Sequence, residues 1–169
     1  MTATLNQSMD PRISNWMDRS VGTWTSFRRY IYTKPGKQVK YETTLICDKR
    51  SETSWGSQWC SKDENGNYFN EGDMELFFTP DNKCNRSRGY MSDDPDTSDV
   101  KVIDDDCIVW ETSYNGMTFR EEIRLCENDS MRLRQTYGKK TDGPVFLVGQ
   151  YYEQRQLGDP DVPQDSSSD

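Results

Sequence analysis

From residue 22 onward the chain alternates short apolar segments with polar turns. The segments are rich in Tyr, Thr, Val, Ile, Phe and Trp, and clusters of Gly, Pro, Asn and Asp separate them. This spacing is typical of consecutive antiparallel strands joined by tight turns. We predict strands near residues 22–33, 38–48, 52–60, 68–78, 86–91, 99–104, 107–114, 117–126, 130–138 and 145–155.

A different pattern precedes the strands. Asp10 followed by Pro11 has the form of a helix N-cap with proline at the first helical position. Ile13, Trp16 and Met17 then recur at helical spacing, which predicts a short amphipathic helix that ends before residue 22.

The best defined turn is Asn115-Gly116, because a two-residue type I′ turn needs positive φ at both positions and Asn-Gly tolerates this best. It predicts a hairpin of strands 107–114 and 117–126, in which Trp110 faces Glu121 and Val109 faces Glu122.

About ten short strands with a single helix to cover them favour a closed barrel over an open sheet with exposed edges. The predicted fold class is therefore all-β, an antiparallel up-and-down barrel with a short N-terminal helix. A barrel of this strand number can enclose a small-molecule cavity. We expect a flexible N-terminus at 1–9, one barrel domain with its leading helix at 10–156, and a disordered acidic tail at 157–169.

Composition narrows the function. The 169 residues carry a net charge of -8 with no opposing basic face, which argues against nucleic acid as a partner. The chain has no long apolar run and no signal-peptide pattern, so we expect no membrane contact and no export. The absence of histidine removes the usual general base and most transition-metal sites, and no metal is predicted. Five cysteines without a CxxC pair suggest free thiols.

The first predicted strand opens with Gly22-Thr23-Trp24. A Gly-x-Trp at this position resembles the lipocalin motif, in which the Trp plugs the closed end of the barrel and packs on an Arg of the last strand. Arg155 is the matching residue here, since a guanidinium can stack on an indole. An ordinary core Trp is the alternative.

Charged residues crowd the strands on either side of residue 128. Glu122 shares a strand face with Arg120 and Arg124, whereas Arg132 and Arg134 alternate with apolar residues. Periodicity alone would place Glu122 and Arg132 on the solvent side as cross-strand charges. A barrel that binds a charged ligand is the exception, because its inward polar residues recognise the ligand.

The segment from Phe119 to Arg134 resembles the signature Glu-Arg-x-Trp-Phe followed by Asn-x-Arg-Leu-Arg of S-type phycobiliprotein lyases, the bilin chromophore lyases. Three further features occur in the family's order, and the resemblance covers about residues 22–155. They are Gly22, Trp24, Ser26 and Arg28 in the first strand, Ser54-Trp55, and the closing Glu153-x-Arg155.

This resemblance implies a ten-stranded lipocalin-like barrel that binds a linear tetrapyrrole and delivers it to a cysteine of an apo-phycobiliprotein as a thioether. It places the essential acid on Glu122, the propionate-binding Arg on Arg132 and a pocket Trp on Trp55, with Arg134, Arg28 and Ser26 as further bilin contacts. The chain departs from the family at Arg29, Tyr30 and Ile31, where His residues often stand, and at Ile123 and Leu125-Cys126.

The same resemblance implies a transiently bound phycobilin, phycoerythrobilin or phycocyanobilin, and no prosthetic group. Phycoerythrobilin is favoured, with the β subunit of phycoerythrin as acceptor and the cytoplasm of a cyanobacterium or the plastid stroma of an alga as location. A homodimer is left open. The alternatives are a non-catalytic lipocalin-like carrier of a bilin, another tetrapyrrole or a fatty acid, and an interaction domain that binds no pigment.

Overall fold

The structure is a computed structural model, and it describes residues 8–89 and 93–156. One helix precedes the strands of a single sheet. In chain order they are α1 (Pro11–Arg19), β1 (Gly22–Tyr32), β2 (Gln38–Lys49), β3 (Ser54–Asp63), β4 (Tyr68–Phe78), β5 (Lys83–Arg86), β6 (Asp96–Asp104), β7 (Cys107–Tyr114), β8 (Met117–Cys126), β9 (Met131–Lys140) and β10 (Val145–Arg155).

Within these residues the ten strands form a closed antiparallel barrel. Each strand pairs with its sequence neighbours, and β1 closes the sheet by pairing with β10. This confirms the predicted fold class. Closure satisfies the backbone donors and acceptors that an open sheet would leave at its edges. No helix in the described part of the chain is long and apolar enough to cross a membrane.

The β7–β8 hairpin has the predicted register. Asn115 and Gly116 have φ of 48° and 71°, as a type I′ turn requires. Trp110 lies opposite Glu121, and Val109 lies opposite Glu122. The register matters for function because side chains alternate between the inside and the outside of the barrel.

Helix α1 covers one end of the barrel. The Asp10 carboxylate accepts a hydrogen bond from the Arg12 amide at 2.9 Å and so caps the helix as predicted. The buried face of the helix consists of Ile13, Trp16 and Met17. The Trp16 indole also donates to the carbonyl oxygen of Asp106 at 2.9 Å, which ties the helix to the turn before β7.

Trp24 lies at this closed end, as the Gly-x-Trp motif predicts. Arg155 is its partner across β1 and β10, and its guanidinium carbon lies 4.4 Å from the centre of the indole. Arg132 lies 4.3 Å from the same ring. Arg155 donates to the carbonyl oxygens of Asp129, Val21 and Arg19. The arginine therefore joins the barrel wall to both neighbouring chain segments.

Three strands begin two or more residues away from the expected position. β3 starts at Ser54 because a turn at Arg50 and Ser51, closed by bonds to the Ser54 carbonyl, occupies the preceding residues. β5 was expected at 86–91 but starts at Lys83, directly after the turn at Asn82, whose φ is 58°. β6 starts at Asp96 and pairs with β5 there. The predicted end of β5 at residues 90 and 91 lies outside the described residues. So do the N-terminal residues 1–7, residue 92 and the tail at 157–169.

Candidate functional site

A cavity of about 290 Å³ lies inside the barrel above the closed end. Its wall is mostly aromatic and apolar, with a few charged groups among them. Its volume is near the lower end of the roughly 300–1,000 Å³ found for sites of drug-sized ligands. The aromatic side chains that line it are Trp16, Tyr30, Tyr32, Tyr41, Trp59, Trp110, Tyr114, Phe119 and Tyr151.

Three arginines line this cavity from two strands that flank β10, and we call them the arginine wall: Arg28 of β1, and Arg132 and Arg134 of β9. β10 lies between these two strands. Its Tyr151 pairs with Arg28 on one side and with Arg134 on the other. The Tyr151 ring centre lies 5.1 Å and 5.0 Å from the two guanidinium carbons.

Two carboxylates balance part of this positive charge. Glu153 is fully buried and accepts a bond from Arg132 at 3.3 Å. Burial alone would raise the pKa of Glu153, but Arg132, Arg134 and Arg28 together hold it below its ordinary value, so the carboxyl stays ionised. Glu121 accepts a bond from Arg134 at 2.6 Å.

Arg28 differs from the other two arginines. Its Nε donates to the Ser26 hydroxyl at 3.0 Å, and its guanidinium faces the Tyr151 ring. Among the residues that the structure describes, it has no carboxylate within salt-bridge distance, whereas Arg132 and Arg134 each have one. The wall thus has three cations and two anions and retains a net positive charge toward the cavity.

The structure corrects the position predicted for the acid. Glu122 lies on the outer face of β8, where its side chain is 43% exposed and pairs with Arg120 at 3.2 Å. It borders a groove outside the barrel together with Leu133 and Tyr152. Glu121, one residue earlier, is the β8 carboxylate that lines the cavity. The strand alternation with Phe119, Ile123 and Leu125 already carries this signal.

The structure places Arg132, Arg134 and Arg28 in the cavity wall and Ser26 in the barrel interior, fully buried beneath Arg28. Periodicity alone had favoured the outside for Arg132, and this is wrong. The physical reason is that apolar Leu133 takes the outer position, where it is 46% exposed, while polar side chains face inward.

The position of Trp55 also requires correction. Its side chain is fully buried at the closed end, where it packs edge-on against Phe78 and donates to the Asp18 carboxylate at 3.2 Å. It is therefore a core residue and does not line the cavity. Trp59, on the same face of β3, lines the cavity and is the indole that a ligand can reach from this strand.

A second polar cluster on the opposite wall was missed entirely. Arg86 and Asp96 form a paired double contact at 2.6 and 3.0 Å, and Arg86 also bonds to the Thr112 hydroxyl. No sequence signal indicated them, because both lie where the strand boundaries were misplaced. Trp110, two residues before Thr112, lines the cavity with a buried indole N–H that has no hydrogen-bond partner among the residues that the structure describes.

Three of the chain's five thiols are poorly suited to act as nucleophiles. Cys47 lines the cavity, and burial raises its pKa, which keeps it protonated. Burial also raises the pKa of Cys84 to about 12 and of Cys107 to about 11. No cluster of three or more potential metal ligands occurs in the ranges that the structure describes. The cavity is instead suited to a flat conjugated ligand with carboxylate groups, which aromatic faces and arginines bind.

Comparisons with known proteins agree with this geometry. A family model described as CpeS-like protein matches residues 49–156. A curated candidate phycocyanobilin lyase, CpcS 2 of Nostoc sp. (strain PCC 7120), is 30% identical over 86% of this chain and 92% of its own length. A candidate chromophore lyase, CpcV of Picosynechococcus sp. (strain PCC 7002), is 30% identical over 47% of this chain and 39% of its own length.

Among solved structures, the S-type phycobiliprotein lyase CPES from Guillardia theta superposes with a TM-score of 0.68. It is 19% identical to this chain, and the match covers 85% of this chain and 92% of that one. At this identity the likeness shows a shared fold. The barrel with its short leading helix is therefore the architecture of a known lyase.

Proposed function

Since the chain belongs to the CpeS-like family of S-type phycobiliprotein lyases, we propose that it binds a linear tetrapyrrole in its cavity without a covalent bond and transfers it to a cysteine of an apo-phycobiliprotein. The product is a thioether between that cysteine and the bilin. The observation that carries the proposal is the arginine wall, with its net positive charge in an aromatic cavity.

Arg28 is the natural ligand for a bilin propionate. Its guanidinium is in the cavity wall and has no carboxylate partner in the described part of the chain. A carboxylate on it would form a charge-assisted, bidentate pair. Arg132 and Arg134 add positive potential, and the second propionate can bind beside them, while Glu153 and Glu121 hold these two arginines in place.

Glu121 is the residue that we assign to the pyrrole nitrogens. Its carboxylate lines the cavity and bonds to Arg134 with one oxygen, so the other can accept from the N–H groups of a bilin. Four pyrrole nitrogens share a positive charge when protonated, and a carboxylate beside them stabilises that form. Protonation makes ring A more electrophilic, which is the change that thiol addition needs.

The aromatic lining supplies the binding surface for the rings. Trp59 and Tyr30 present aromatic faces on β3 and β1. The indole N–H of Trp110, which has no partner within the described ranges, can donate to a bilin carbonyl. The cavity of about 290 Å³ opens toward solvent, so part of the pigment would extend through the mouth. This would leave ring A within reach of an incoming cysteine.

The chain then needs no nucleophile of its own. The attacking group is the thiolate of the acceptor, so the absence of histidine and the protonated state of Cys47 are both compatible with the reaction. A thiol that stays protonated also avoids capturing the bilin inside the cavity, because the thiolate is the reactive form.

We further propose a phycobilin as the ligand. The family resemblance favours phycoerythrobilin and the β subunit of phycoerythrin, whereas the Nostoc relative is named for phycocyanobilin. The location would be the cytoplasm of a cyanobacterium or the plastid stroma of an alga.

The test is direct. The protein is mixed with phycocyanobilin or phycoerythrobilin and an apo-phycobiliprotein subunit, and a denaturing gel is examined for an acid-stable, zinc-fluorescent adduct. A lyase gives an adduct with the native spectrum, faster than the acceptor alone. A carrier gives a coloured complex without catalysed attachment, and an interaction domain gives no change in bilin absorbance.

A further inference from the structure

Three lysines lie on one side of the cavity mouth. Lys34 and Lys37 belong to the turn between β1 and β2, and Lys140 is the last residue of β9. All three are exposed. The lysines with ion pairs in the described residues are Lys49, Lys62, Lys83 and Lys101, so the charges of these three are not neutralised by a neighbouring carboxylate. We call Lys34, Lys37 and Lys140 the basic lip.

The turns that carry the basic lip are joined to each other. The Thr33 amide donates to the Phe146 carbonyl at 3.0 Å, and the Thr33 hydroxyl donates to the Val145 carbonyl at 3.0 Å. On the other side, the Thr141 amide donates to the Gly116 carbonyl at 2.8 Å. The lysines therefore lie on a continuous rim over β1, β10 and β9, the strands of the arginine wall.

The opposite side of the mouth has the opposite sign. Asp63 is the last residue of β3, Glu64 follows it in the turn, and Asp93 and Asp94 precede β6. Asp93 forms an ion pair with Arg88 at 2.7 Å. Asp142, exposed in the turn that follows Lys140, offsets one of the three charges of the basic lip. The mouth is still net positive above the arginine wall and negative across from it, in a chain whose net charge is -8.

The arginine wall lies too far below the mouth to attract an anion there by itself. Arg28 lies four residues below Tyr32, where β1 ends, which is roughly 13 Å along a strand. The Debye length at physiological salt is about 8 Å, so the field of the wall is largely screened at the mouth. A dianion approaching this acidic protein would meet net repulsion there unless local positive charge offsets it.

From this arrangement we infer that the basic lip attracts the carboxylates of the incoming bilin at the mouth and directs them toward the arginine wall. The inference rests on the proposed function, and it concerns the rate of entry and not the final affinity. Clefts lined by one sign of charge raise association rates of oppositely charged ligands by about tenfold or more at low salt.

The experiment compares two triple variants with the same change in net charge. In the first, Lys34→Gln, Lys37→Gln and Lys140→Gln remove the basic lip. In the second, Lys49→Gln, Lys83→Gln and Lys101→Gln remove lysines away from the mouth. Stopped-flow quenching of tryptophan fluorescence gives the association rate constant for phycocyanobilin and for its dimethyl ester, at low and at high ionic strength.

We expect the lip variant to bind phycocyanobilin about tenfold more slowly than wild type at low salt, with an unchanged dissociation rate. The association rate of the second variant should fall much less. The difference between the two variants should vanish at high salt, and the neutral ester should associate with all three proteins at the same rate. Equal association rates for the two triple variants would overturn the inference while leaving the proposed function intact. Failure of wild type to bind phycocyanobilin at all would overturn both.

Discussion

Two regions of the barrel interior use the same residue type in different ways. At the closed end, Arg155 stacks on Trp24 and donates to three backbone carbonyls, so its hydrogen-bonding groups are used within the fold. Nearer the mouth, Arg28 contacts a serine hydroxyl and a tyrosine ring. In the described part of the chain it has no carboxylate within salt-bridge distance. The arginine at the closed end is used within the fold, whereas the arginine wall retains a net positive charge toward the cavity.

The largest effect is expected at the closed end. Trp24→Ala removes a fully buried indole that lies between Arg132 and Arg155. The free energy of unfolding should fall by about 3–5 kcal/mol, as measured by urea denaturation. Phe27→Ala is the control, because Phe27 is 46% exposed on the outer face of the same strand. Equal losses for both variants would contradict the role assigned to Trp24.

Glu153→Gln should lower the free energy of unfolding by about 3 kcal/mol, because it leaves the buried Arg132 guanidinium without its ionic partner. The pH dependence gives a second readout. The pKa of Glu153 is below its ordinary 4.5 in the folded chain, so its contribution is complete above that pH. As pH falls below 4.5 the unfolded state binds the proton first, and stability decreases.

The variant should therefore lose less stability than wild type on acidification below pH 4.5. Denaturation midpoints across this range check the prediction. Parallel pH profiles for the two proteins would show that Glu153 is not held ionised by the arginines.

The arginine wall should respond in the opposite way, with a loss of binding and little loss of stability. Arg28→Gln removes a half-buried cation that has no carboxylate within salt-bridge distance in the described residues, so the free energy of unfolding should change little. Affinity for a bilin should fall by about 1.5–3 kcal/mol, roughly tenfold to a hundredfold, in a fluorescence titration. Arg29→Gln, on the exposed outer face, is the matched control. Unchanged affinity in Arg28→Gln would remove it from the site.

The smallest expected effect separates two adjacent carboxylates. Glu121→Gln should slow transfer of the bilin to the acceptor by about tenfold, equivalent to about 1.4 kcal/mol. Glu122→Gln should have almost no effect on the transfer rate, because Glu122 lies on the outer face of β8. Its exposed ion pair with Arg120 contributes at most about 1 kcal/mol to stability, so the variant should also stay folded. The measurement is a single-turnover transfer assay. A slower Glu122→Gln enzyme would return the role to Glu122.

The fold was largely predictable because local rules and closure agree. Asn115-Gly116 determines a turn and thereby a register, and the Trp24 and Arg155 pair follows from a short motif at the two ends of the chain. Strand β5 was misplaced because its four residues are three polar side chains and a cysteine and have no recognisable pattern. Its position is set by pairing with β4 and β6.

The site was harder to predict, for a physical reason. Hydrophobic alternation assumes that apolar side chains face inward, but this lumen contains Arg132 and Arg134 while Leu133 faces solvent. The family resemblance implies Glu122 as the acid, whereas the β8 carboxylate that lines the cavity is Glu121. Because the side chains of a strand alternate between its two faces, a shift of one residue in the assignment moves the acid to the other face. Glu121 lies on the same strand face as the buried Ile123 and Leu125, and this alternation predicts that Glu121 is the carboxylate that faces inward.

One equilibrium experiment tests the central claim that the arginine wall holds a bilin through its propionates. Phycocyanobilin and its dimethyl ester are titrated into wild type and into Arg28→Gln, and the four affinities form a double-variant cycle. We predict that wild type prefers the free acid by at least about tenfold and that most of this preference is lost in Arg28→Gln. An ester that binds wild type as tightly as the acid would contradict the claim.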